Sequence, residues 1–305
     1  MKATVNVNGR ISDAGQAVVP VFDHGFLYGE GVYETLRTYN GRPFLFDRHL
    51  ERLRASAAML RLLFPLTDRE LDARVAETLA AGGLGTAGGG PDAYIRILLT
   101  RGVGDLTYDP AACATPSLVI IVKAFAAPVP ALFEEGVPAV LVSILRNHPG
   151  SLNPLMKSNN LLNNALAMQE ALRRGGFEGI MRNYRGELAE CTQSNLFIVK
   201  DGAVLTPPLE SGLLAGVTRA FVLEMAGGLG IDAREAVLTD ADLFGADEAF
   251  LTSTTREVLP IVRVDDQSIG TGRPGPVAKR LLAAFRQKAQ ALTATPLGED
   301  AAPVR

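Results

Sequence analysis

The stretch Glu190-Cys191-Thr192-Gln193-Ser194-Asn195-Leu196-Phe197 is the strongest indication of fold in this chain of 305 residues. It places a glutamate at the end of one apolar segment and an asparagine at the start of the next. Downstream, Leu214-Ala215-Gly216-Val217-Thr218-Arg219 has the pattern of a helix that begins after a glycine. Upstream, Leu155-Met156-Lys157-Ser158-Asn159-Asn160 places a lysine in partly apolar surroundings.

These three stretches contain the parts that are needed to hold pyridoxal phosphate. A lysine can bind the cofactor aldehyde covalently, and a carboxylate can keep the pyridine nitrogen protonated. The free N–H groups at a helix start can hold the phosphate. Taken alone, Lys157 fits a solvated helix start and Glu190 an exposed strand residue. Their neighbours favour Lys157 as the covalent anchor and Glu190 as the partner of the ring nitrogen.

The stretch from Glu190 to Phe197 is followed by a predicted strand that ends in threonine and then by the glycine-led helix start. This pattern resembles the signature of the class IV pyridoxal-phosphate aminotransferases, which have fold type IV. The matching residues are Glu190, Thr192, Asn195, Leu196, Phe197, Val204, Thr206, Leu214, Gly216, Val217 and Arg219. The resemblance extends over about residues 19–285. It implies an α/β (α+β) fold of two domains, with pyridoxal 5'-phosphate at the interface between them.

The resemblance also implies which residues hold the cofactor phosphate. They are Arg52 in the first long helix, Val217 and Thr218 at the helix start, and Ser253 and Thr254 in a hydroxyl-rich run. A guanidinium together with backbone amides and hydroxyls suits a dianion. Without the resemblance, Arg52 fits an ordinary arginine on a helix surface better.

On the substrate side, the resemblance implies a further set of residues. The set is Tyr28, Tyr33, Arg37, Tyr94, Arg96, Thr254 and Thr255. Tyr94-Ile95-Arg96 matches the Tyr-x-Arg motif of branched-chain aminotransferases. There, the tyrosine helps to bind the substrate carboxylate and the arginine binds the distal carboxylate of glutamate. Two residues depart from that subfamily: Thr35 replaces a usual glycine and Leu162 a usual tyrosine.

We therefore expect a transaminase that passes an amino group from a branched-chain L-amino acid to 2-oxoglutarate by a ping-pong mechanism. A D-amino acid or (R)-amine transaminase is the first alternative, although no Arg-x-His pair follows Thr100-Arg101-Gly102. An aminodeoxychorismate lyase is the second, although Arg96 stands where those enzymes have lysine. A binding module without catalysis is disfavoured, because it needs no lysine paired with a glutamate.

The resemblance implies that the partners are small molecules, namely amino acids and keto acids, and composition disfavours other classes of partner. The net charge is −3 and no long basic run is present, so nucleic acid and acidic membranes are not expected partners. Two cysteines make neither a disulfide framework nor a zinc site, and the three histidines lack metal-ligand spacing. We expect a cytoplasmic protein. The resemblance implies a homodimer, in which a loop near residues 101–108 contributes to the partner's site.

The predicted organisation is an N-terminal domain over residues 1–125, a linker over 126–134, a C-terminal domain over 135–290 and a disordered tail over 291–305. Helices are predicted over residues 47–62 with Asp47 as N-cap, 68–81, 159–174, 216–226 and 274–288. A glycine-rich loop is predicted over residues 85–90, after the helix at 68–81. Hairpins are predicted over residues 179–190 and 196–204.

Overall fold

The computed structural model describes residues 2–85 and 90–294, which fold into two β-sheets with helices packed against them. The first sheet contains β1 (Thr4–Val7), β2 (Arg10–Asp13), β3 (Gly31–Tyr39), β4 (Arg42–Pro43), β5 (Ala93–Thr100) and β6 (Ser117–Ala124). The second contains β7 (Val137–Leu141), β8 (Glu178–Arg182), β9 (Leu188–Cys191), β10 (Asn195–Lys200), β11 (Ala203–Thr206), β12 (Ala233–Glu235), β13 (Glu248–Ser253), β14 (Glu257–Val264) and β15 (Gln267–Ser268). The helices in these residues are α1 (His24–Leu27), α2 (Phe46–Met59), α3 (Asp68–Ala81), α4 (Pro130–Glu135), α5 (Leu162–Arg173), α6 (Val217–Gly228), α7 (Asp240–Phe244) and α8 (Pro276–Thr293). The predicted mixture of helix and sheet is confirmed.

The first sheet is antiparallel throughout, in the strand order β2-β1-β6-β5-β3-β4. Helix α2 packs against β3, and α3 packs against β1 and β6. Leu36 of β3 and Leu53 of α2 are fully buried between these layers. Because side chains alternate along a strand, Tyr33 and Thr35 point to the opposite face of β3. That face forms one wall of a cavity.

The second sheet is mixed, in the order β12-β11-β10-β13-β14-β7-β8-β9, with β15 paired to β14. Helices α6 and α8 pack against its central strands. The rings of Phe197 on β10 and Phe250 on β13 are fully buried and stack with their centroids 5.0 Å apart. This packing fixes the strand ends at Asn195 and Ser253, which both line the cavity.

Polar and aromatic contacts join the two sheets. The Glu257 carboxylate of β14 accepts hydrogen bonds from Arg37 Nη1 at 3.2 Å and from the Tyr39 hydroxyl at 2.8 Å, both on β3. Burial, assisted by the charge of Glu257, raises the pKa of Tyr39, so the phenol stays a donor. Nearby, the rings of Phe44 and Phe285 lie 5.6 Å apart. The two cavity walls are therefore held against each other by buried groups.

Helix α2 begins at Phe46, so the prediction of Asp47 as its N-cap is wrong. Leu45 takes the cap position with a φ of 52°, and Asp47 lies in the first turn, where a negative charge still suits the helix dipole. The helix ends at Met59 rather than at residue 62.

Helix α5 also begins later than predicted, at Leu162. The backbone N–H of Asn159 donates to Gly31 O at 2.8 Å, so this residue belongs to an extended segment beside β3. The helical spacing places Leu161, Ala165, Met168 and Leu172 on one face, but none of these four residues is buried. The buried residues are Ala167 and Ala171, whose small side chains let the helix pack closely on the second sheet.

The predicted linker contains the start of α4, because proline is well suited to the first position of a helix. Helix α8 continues to Thr293, so residues 291–293 of the predicted tail are helical. Residues 295–305 of that tail, and residues 86–89 of the predicted glycine-rich loop, lie outside the described residues. The division into two domains at residues 126–134 stays a prediction.

Several local predictions are confirmed. Helix α3 has the predicted bounds and is capped by a reciprocal pair of hydrogen bonds between Thr67 and Glu70. The β8–β9 and β10–β11 hairpins form, the second through Asp201 and Gly202 with φ values of 51° and 77°. Gly216 is the N-cap of α6. Within residues 2–85 and 90–294, no helix is long and apolar enough to cross a membrane.

Candidate functional site

A cavity of about 630 Å³ lies between the two sheets. Its first-sheet wall consists of Tyr33, Thr35, Arg52, Tyr94 and Arg96. Its second-sheet wall consists of Arg146, Glu190, residues 191–195, Leu214, residues 216–218 and residues 252–255. Residues 152–158, including Lys157, and the start of α5 close the remaining side. The volume is that of a site for a small molecule.

Lys157 enters this cavity from a segment that is hydrogen-bonded to the first sheet. The N–H of Tyr33 donates to Lys157 O at 2.9 Å, and the N–H of Lys157 donates to Ser56 Oγ at 3.1 Å. The side chain is half-buried, and its Nζ lies 4.5 Å from the centre of the Tyr33 ring. Among the described residues, no carboxylate pairs with this amine.

Glu190 lies at the opposite wall, with 5% of its surface exposed. One carboxylate oxygen accepts from Arg146 Nε at 2.7 Å, and the other accepts from Asn195 Nδ2 at 3.3 Å and Leu214 N at 3.2 Å. The position of the carboxylate is therefore fixed from three sides. Arg146 was not found from the sequence, because it lies 44 residues from Glu190 and no motif links the two.

One end of the cavity is suited to an anion. Gly216 precedes α6, and a Cβ on it would lie 1.9 Å from Asn195 Oδ1, so no larger residue fits there. Val217 and Thr218 form the first turn of α6 at the cavity wall, where backbone N–H groups lack helical partners. The hydroxyl residues Thr252, Ser253, Thr254 and Thr255 lie across from them. The Thr252 hydroxyl is buried and has no hydrogen-bond partner among the described residues.

Arg52 reaches this end from α2 and is paired with Glu34. Its Nε and Nη2 donate to the two oxygens of Glu34 at 2.6 and 2.8 Å, and its Nη1 donates to Ala215 O at 2.9 Å. His49 Nδ1 lies 2.7 Å from Glu34 Oε2. Burial alone would raise the pKa of Glu34, but Arg52 and His49 hold it well below its usual value. Glu34 was not singled out from the sequence.

Arg96 and Tyr94 lie on the first-sheet wall, on β5. The Arg96 guanidinium is 4.0 Å from the centre of the Tyr33 ring, which Lys157 also contacts. No hydrogen bond or ion pair engages the Arg96 side chain within the described part of the chain. A lysine and an arginine thus contact the same ring, and neither is neutralised by a carboxylate of those residues.

Two predicted site residues do not line the cavity. Arg37 is 7% exposed, and its guanidinium pairs with Glu257 and with Asp92, so it joins the sheets rather than facing the cavity. Tyr28 packs against the rings of His24 and Tyr108 on the outside of the first sheet. Both residues make structural contacts within the chain, and their contact with substrate stays a prediction.

The described residues contain no group of three or more His, Cys, Asp or Glu side chains placed to hold a metal ion. His24 is fully buried, and its Nε2 lies 2.9 Å from Asp105 O. His24 therefore contacts the loop that contains Asp105 and does not line the cavity.

Comparison with known proteins identifies similar chains. A family model described as amino-transferase class IV matches residues 31–264. A Methanocaldococcus jannaschii protein, provisionally named a branched-chain-amino-acid aminotransferase, is 40% identical over 92% of this chain and 95% of its own. The D-alanine aminotransferase of Bacillus licheniformis is 33% identical over 94% of this chain and 97% of its own. The crystal structure of Escherichia coli branched-chain amino acid aminotransferase matches with a TM-score of 0.88 at 32% identity, covering 94% of each chain.

The buried pair of Arg146 and Glu190 leads to a test of stability. Arg146→Ala removes one partner and leaves the other charge buried, so we expect the free energy of unfolding to fall by about 3–5 kcal/mol. Arg48→Ala is the matched control, because Arg48 pairs at 2.8 Å with the exposed Glu224, and there we expect a loss of at most about 1 kcal/mol. Urea unfolding measures both variants. Equal losses would contradict the importance of the buried pair.

Proposed function

The chain belongs to the class IV aminotransferase family, and we propose that it exchanges an amino group between a branched-chain L-amino acid and 2-oxoglutarate. As a member, it has the class IV aminotransferase fold and depends on pyridoxal 5'-phosphate. When bound, this cofactor supplies an aldehyde that takes up the amino group and a ring that stabilises negative charge on the substrate Cα. The observation that carries the proposal is the contact of both Lys157 and Arg96 with the Tyr33 ring. A substrate's reacting carbon and a carboxylate can be held there together.

The residues of the cavity fit this cofactor. Val217 and Thr218 at the start of α6 line the cavity, and the free N–H groups of a helix start suit a phosphate. The buried hydroxyl of Thr252 lacks a partner among the described residues, and buried hydroxyls normally have one. We propose that the phosphate is bound by Arg52, Val217, Thr218, Ser253 and Thr254.

We propose that Lys157 binds the cofactor covalently and moves the proton at the substrate Cα. Its amine projects into the cavity and is engaged by no carboxylate of the described residues, so it is free to form a bond. We further propose that Glu190 pairs with the ring nitrogen. Arg146, Asn195 and Leu214 hold that carboxylate in one position before any ligand arrives, which is the arrangement that electrostatic stabilisation requires.

Substrate binding is assigned to the first-sheet wall and the turn after β13. Arg96 has no other ionic partner among the described residues, and this supports a role in binding the distal carboxylate of 2-oxoglutarate or glutamate. Tyr94, Thr254 and Thr255 offer hydroxyl groups for the α-carboxylate. Apolar cavity residues support the binding of a branched side chain in the same space: Leu152, Met156, Leu161 and Met168.

We propose a ping-pong order, and the position of Lys157 supports it. The amino acid and the keto acid must both reach Lys157, and one cavity of about 630 Å³ contains that residue. We therefore propose that the keto acid formed in the first half-reaction leaves before the second keto acid enters.

Transamination of D-amino acids is the second candidate function. It is supported by the D-alanine aminotransferase relative, which matches almost the whole chain. The departure of Leu162 from the tyrosine that is usual in branched-chain aminotransferases also supports it.

An exposed apolar surface supports the proposal of a homodimer. It consists of Val21, Phe22, Phe26, Leu106 and Tyr108, each with at least half of its surface exposed. The N–H of Gly104 donates to Phe22 O at 3.2 Å, so the two segments form one surface. Clustered apolar exposure of this kind is typical of an interface. The surface includes part of the loop at residues 101–108, and we propose that a second copy covers it.

The role of Lys157 is tested by covalent trapping. After borohydride reduction and digestion, we expect the cofactor on the peptide that contains Lys157, because this residue supplies the reacting amine. Lys157→Ala should lose both the trapped cofactor and transamination, whereas Lys200→Ala, which alters a lysine paired with Asp242 outside the cavity, should keep both. A trapped cofactor on another lysine of the wild-type protein would reject the assignment.

The role of Arg96 is tested by separate half-reactions. In Arg96→Gln we expect the rate with L-glutamate to fall at least about tenfold more than the rate with L-leucine, because only glutamate loses a charge-assisted partner. Stopped-flow absorbance of the bound cofactor measures both. Lys123→Gln is the control, since this lysine lies 5.1 Å from the Tyr94 ring but outside the cavity. A larger response of the wild type to D-alanine than to L-leucine would favour the second candidate function.

The homodimer is tested by sedimentation velocity. We expect the wild-type chain to sediment as a dimer and Phe26→Asp to shift it toward the monomer, because a charge would be buried at the interface. Leu63→Asp is the control at an exposed leucine on another part of the surface. A stable, fully active wild-type monomer would refute the proposal.

A further inference from the structure

Glu34 is a fully buried carboxylate that lies directly behind Arg52. It is on the helix-facing side of β3, between Tyr33 and Thr35 of the cavity wall. One oxygen accepts from Arg52 Nε, and the other accepts from Arg52 Nη2 and from His49 Nδ1, at distances of 2.6 to 2.8 Å. The carboxylate therefore bonds to one whole edge of the guanidinium.

The remaining contact of Arg52 completes its restraint. Nη1 donates to Ala215 O, which precedes the first turn of α6. Three of the five N–H groups of the guanidinium are thus engaged, and the rotation of its plane is blocked. One N–H on Nη1 and one on Nη2 remain for a ligand at the anion-binding end of the cavity. The Arg52 side chain is 12% exposed, so its orientation is fixed before that ligand binds.

His49 restrains Glu34 from the other side. It is 2% exposed, and burial lowers the pKa of its imidazole against the opposing influence of Glu34. The carboxylate oxygen can only accept, so the proton of the contact lies on His49 Nδ1. His49, Glu34 and Arg52 thus form a continuous chain of contacts that ends at the cavity wall.

We propose that Glu34 is a positioning residue that orients Arg52 for the cofactor phosphate. This inference rests on the proposed function, in which Arg52 binds that phosphate. Stability alone does not explain the pair, because a buried ion pair is often no more stabilising than apolar residues of similar volume. The negative charge of Glu34 weakens the attraction of Arg52 for an anion, whereas its hydrogen bonds orient the two free N–H groups of Arg52. Whether the affinity for the cofactor rises or falls when Glu34 is replaced therefore decides which effect dominates.

The test compares two ligands that differ only in the phosphate. The dissociation constants of pyridoxal 5'-phosphate and of pyridoxal are measured by absorbance titration of the cofactor-free full chain. In Glu34→Gln we expect the constant for pyridoxal 5'-phosphate to rise about tenfold, the effect of losing one charge-assisted hydrogen bond, while that for pyridoxal is unchanged. Glu51→Gln is the matched control, because Glu51 is an exposed neighbour of Arg52 on α2.

Other outcomes overturn the inference in distinguishable ways. Tighter binding of pyridoxal 5'-phosphate by Glu34→Gln would mean that charge outweighs orientation. Equal weakening of both ligands would mean a structural role. If Arg52→Gln leaves the ratio of the two constants unchanged, the phosphate assignment under the proposed function fails instead. If Arg52→Gln changes the ratio but Glu34→Gln does not, only the positioning role fails.

A double variant shows whether Glu34 acts through Arg52. In Glu34→Gln/Arg52→Gln we expect the same ratio of constants as in Arg52→Gln alone, because there is no guanidinium left to orient. A further change in the ratio would contradict action through Arg52. Thermal unfolding of each cofactor-free variant verifies the fold. If Glu34→Gln does not fold, Glu34→Asp, which keeps the charge but shortens the reach by one methylene, is subject to the same criteria.

Discussion

The site depends on the backbone pairing of residues 157–159 with the start of β3. The N–H of Tyr33 donates to Lys157 O, and the N–H of Asn159 donates to Gly31 O. These bonds attach a segment from the second half of the chain to the first sheet and delay the start of α5. Because backbone hydrogen bonds are directional, they set both the depth and the direction at which Lys157 enters the cavity. Tyr33 contacts that amine, and Arg96 and the proposed phosphate-binding end lie in the same cavity.

The charges of the cavity are divided into compensated and uncompensated groups. Arg52 is paired with Glu34, and Arg146 with Glu190, in both cases through buried carboxylates. Lys157 and Arg96 have no such partner among the described residues. Buried pairs hold their members still, whereas an unpaired cation at a cavity wall is available to a ligand. This division separates cations that are held by carboxylates from cations that remain available to a ligand at the cavity wall.

The residues to which the chemistry is assigned were found from the sequence, because each lies in a short recognisable stretch. Lys157, Glu190 and the glycine-led start of α6 belong to short stretches in which residue type and spacing carry the meaning. The bounds of α3 and the turns of the two hairpins were likewise predictable, since capping and positive-φ residues act locally. The placement of Tyr33, Tyr94, Arg96 and Thr255 in one cavity required the additional information in the family pattern.

The sequence by itself thus identified the candidate reactive groups and determined many of the local elements, and the tertiary structure decided which charged groups meet. Arg146 pairs with Glu190 across 44 residues, and Arg37 with Glu257 across 220. Ion pairs at such separations leave no periodic trace in a sequence, so Arg37 was predicted to face the cavity and Arg146 was missed. The buried face of α5 was also decided by packing, because Ala167 and Ala171 allow a closer approach to the sheet than the larger apolar residues beside them. Local physics acts over a few residues, whereas pairing and close packing depend on the three-dimensional path of the whole chain.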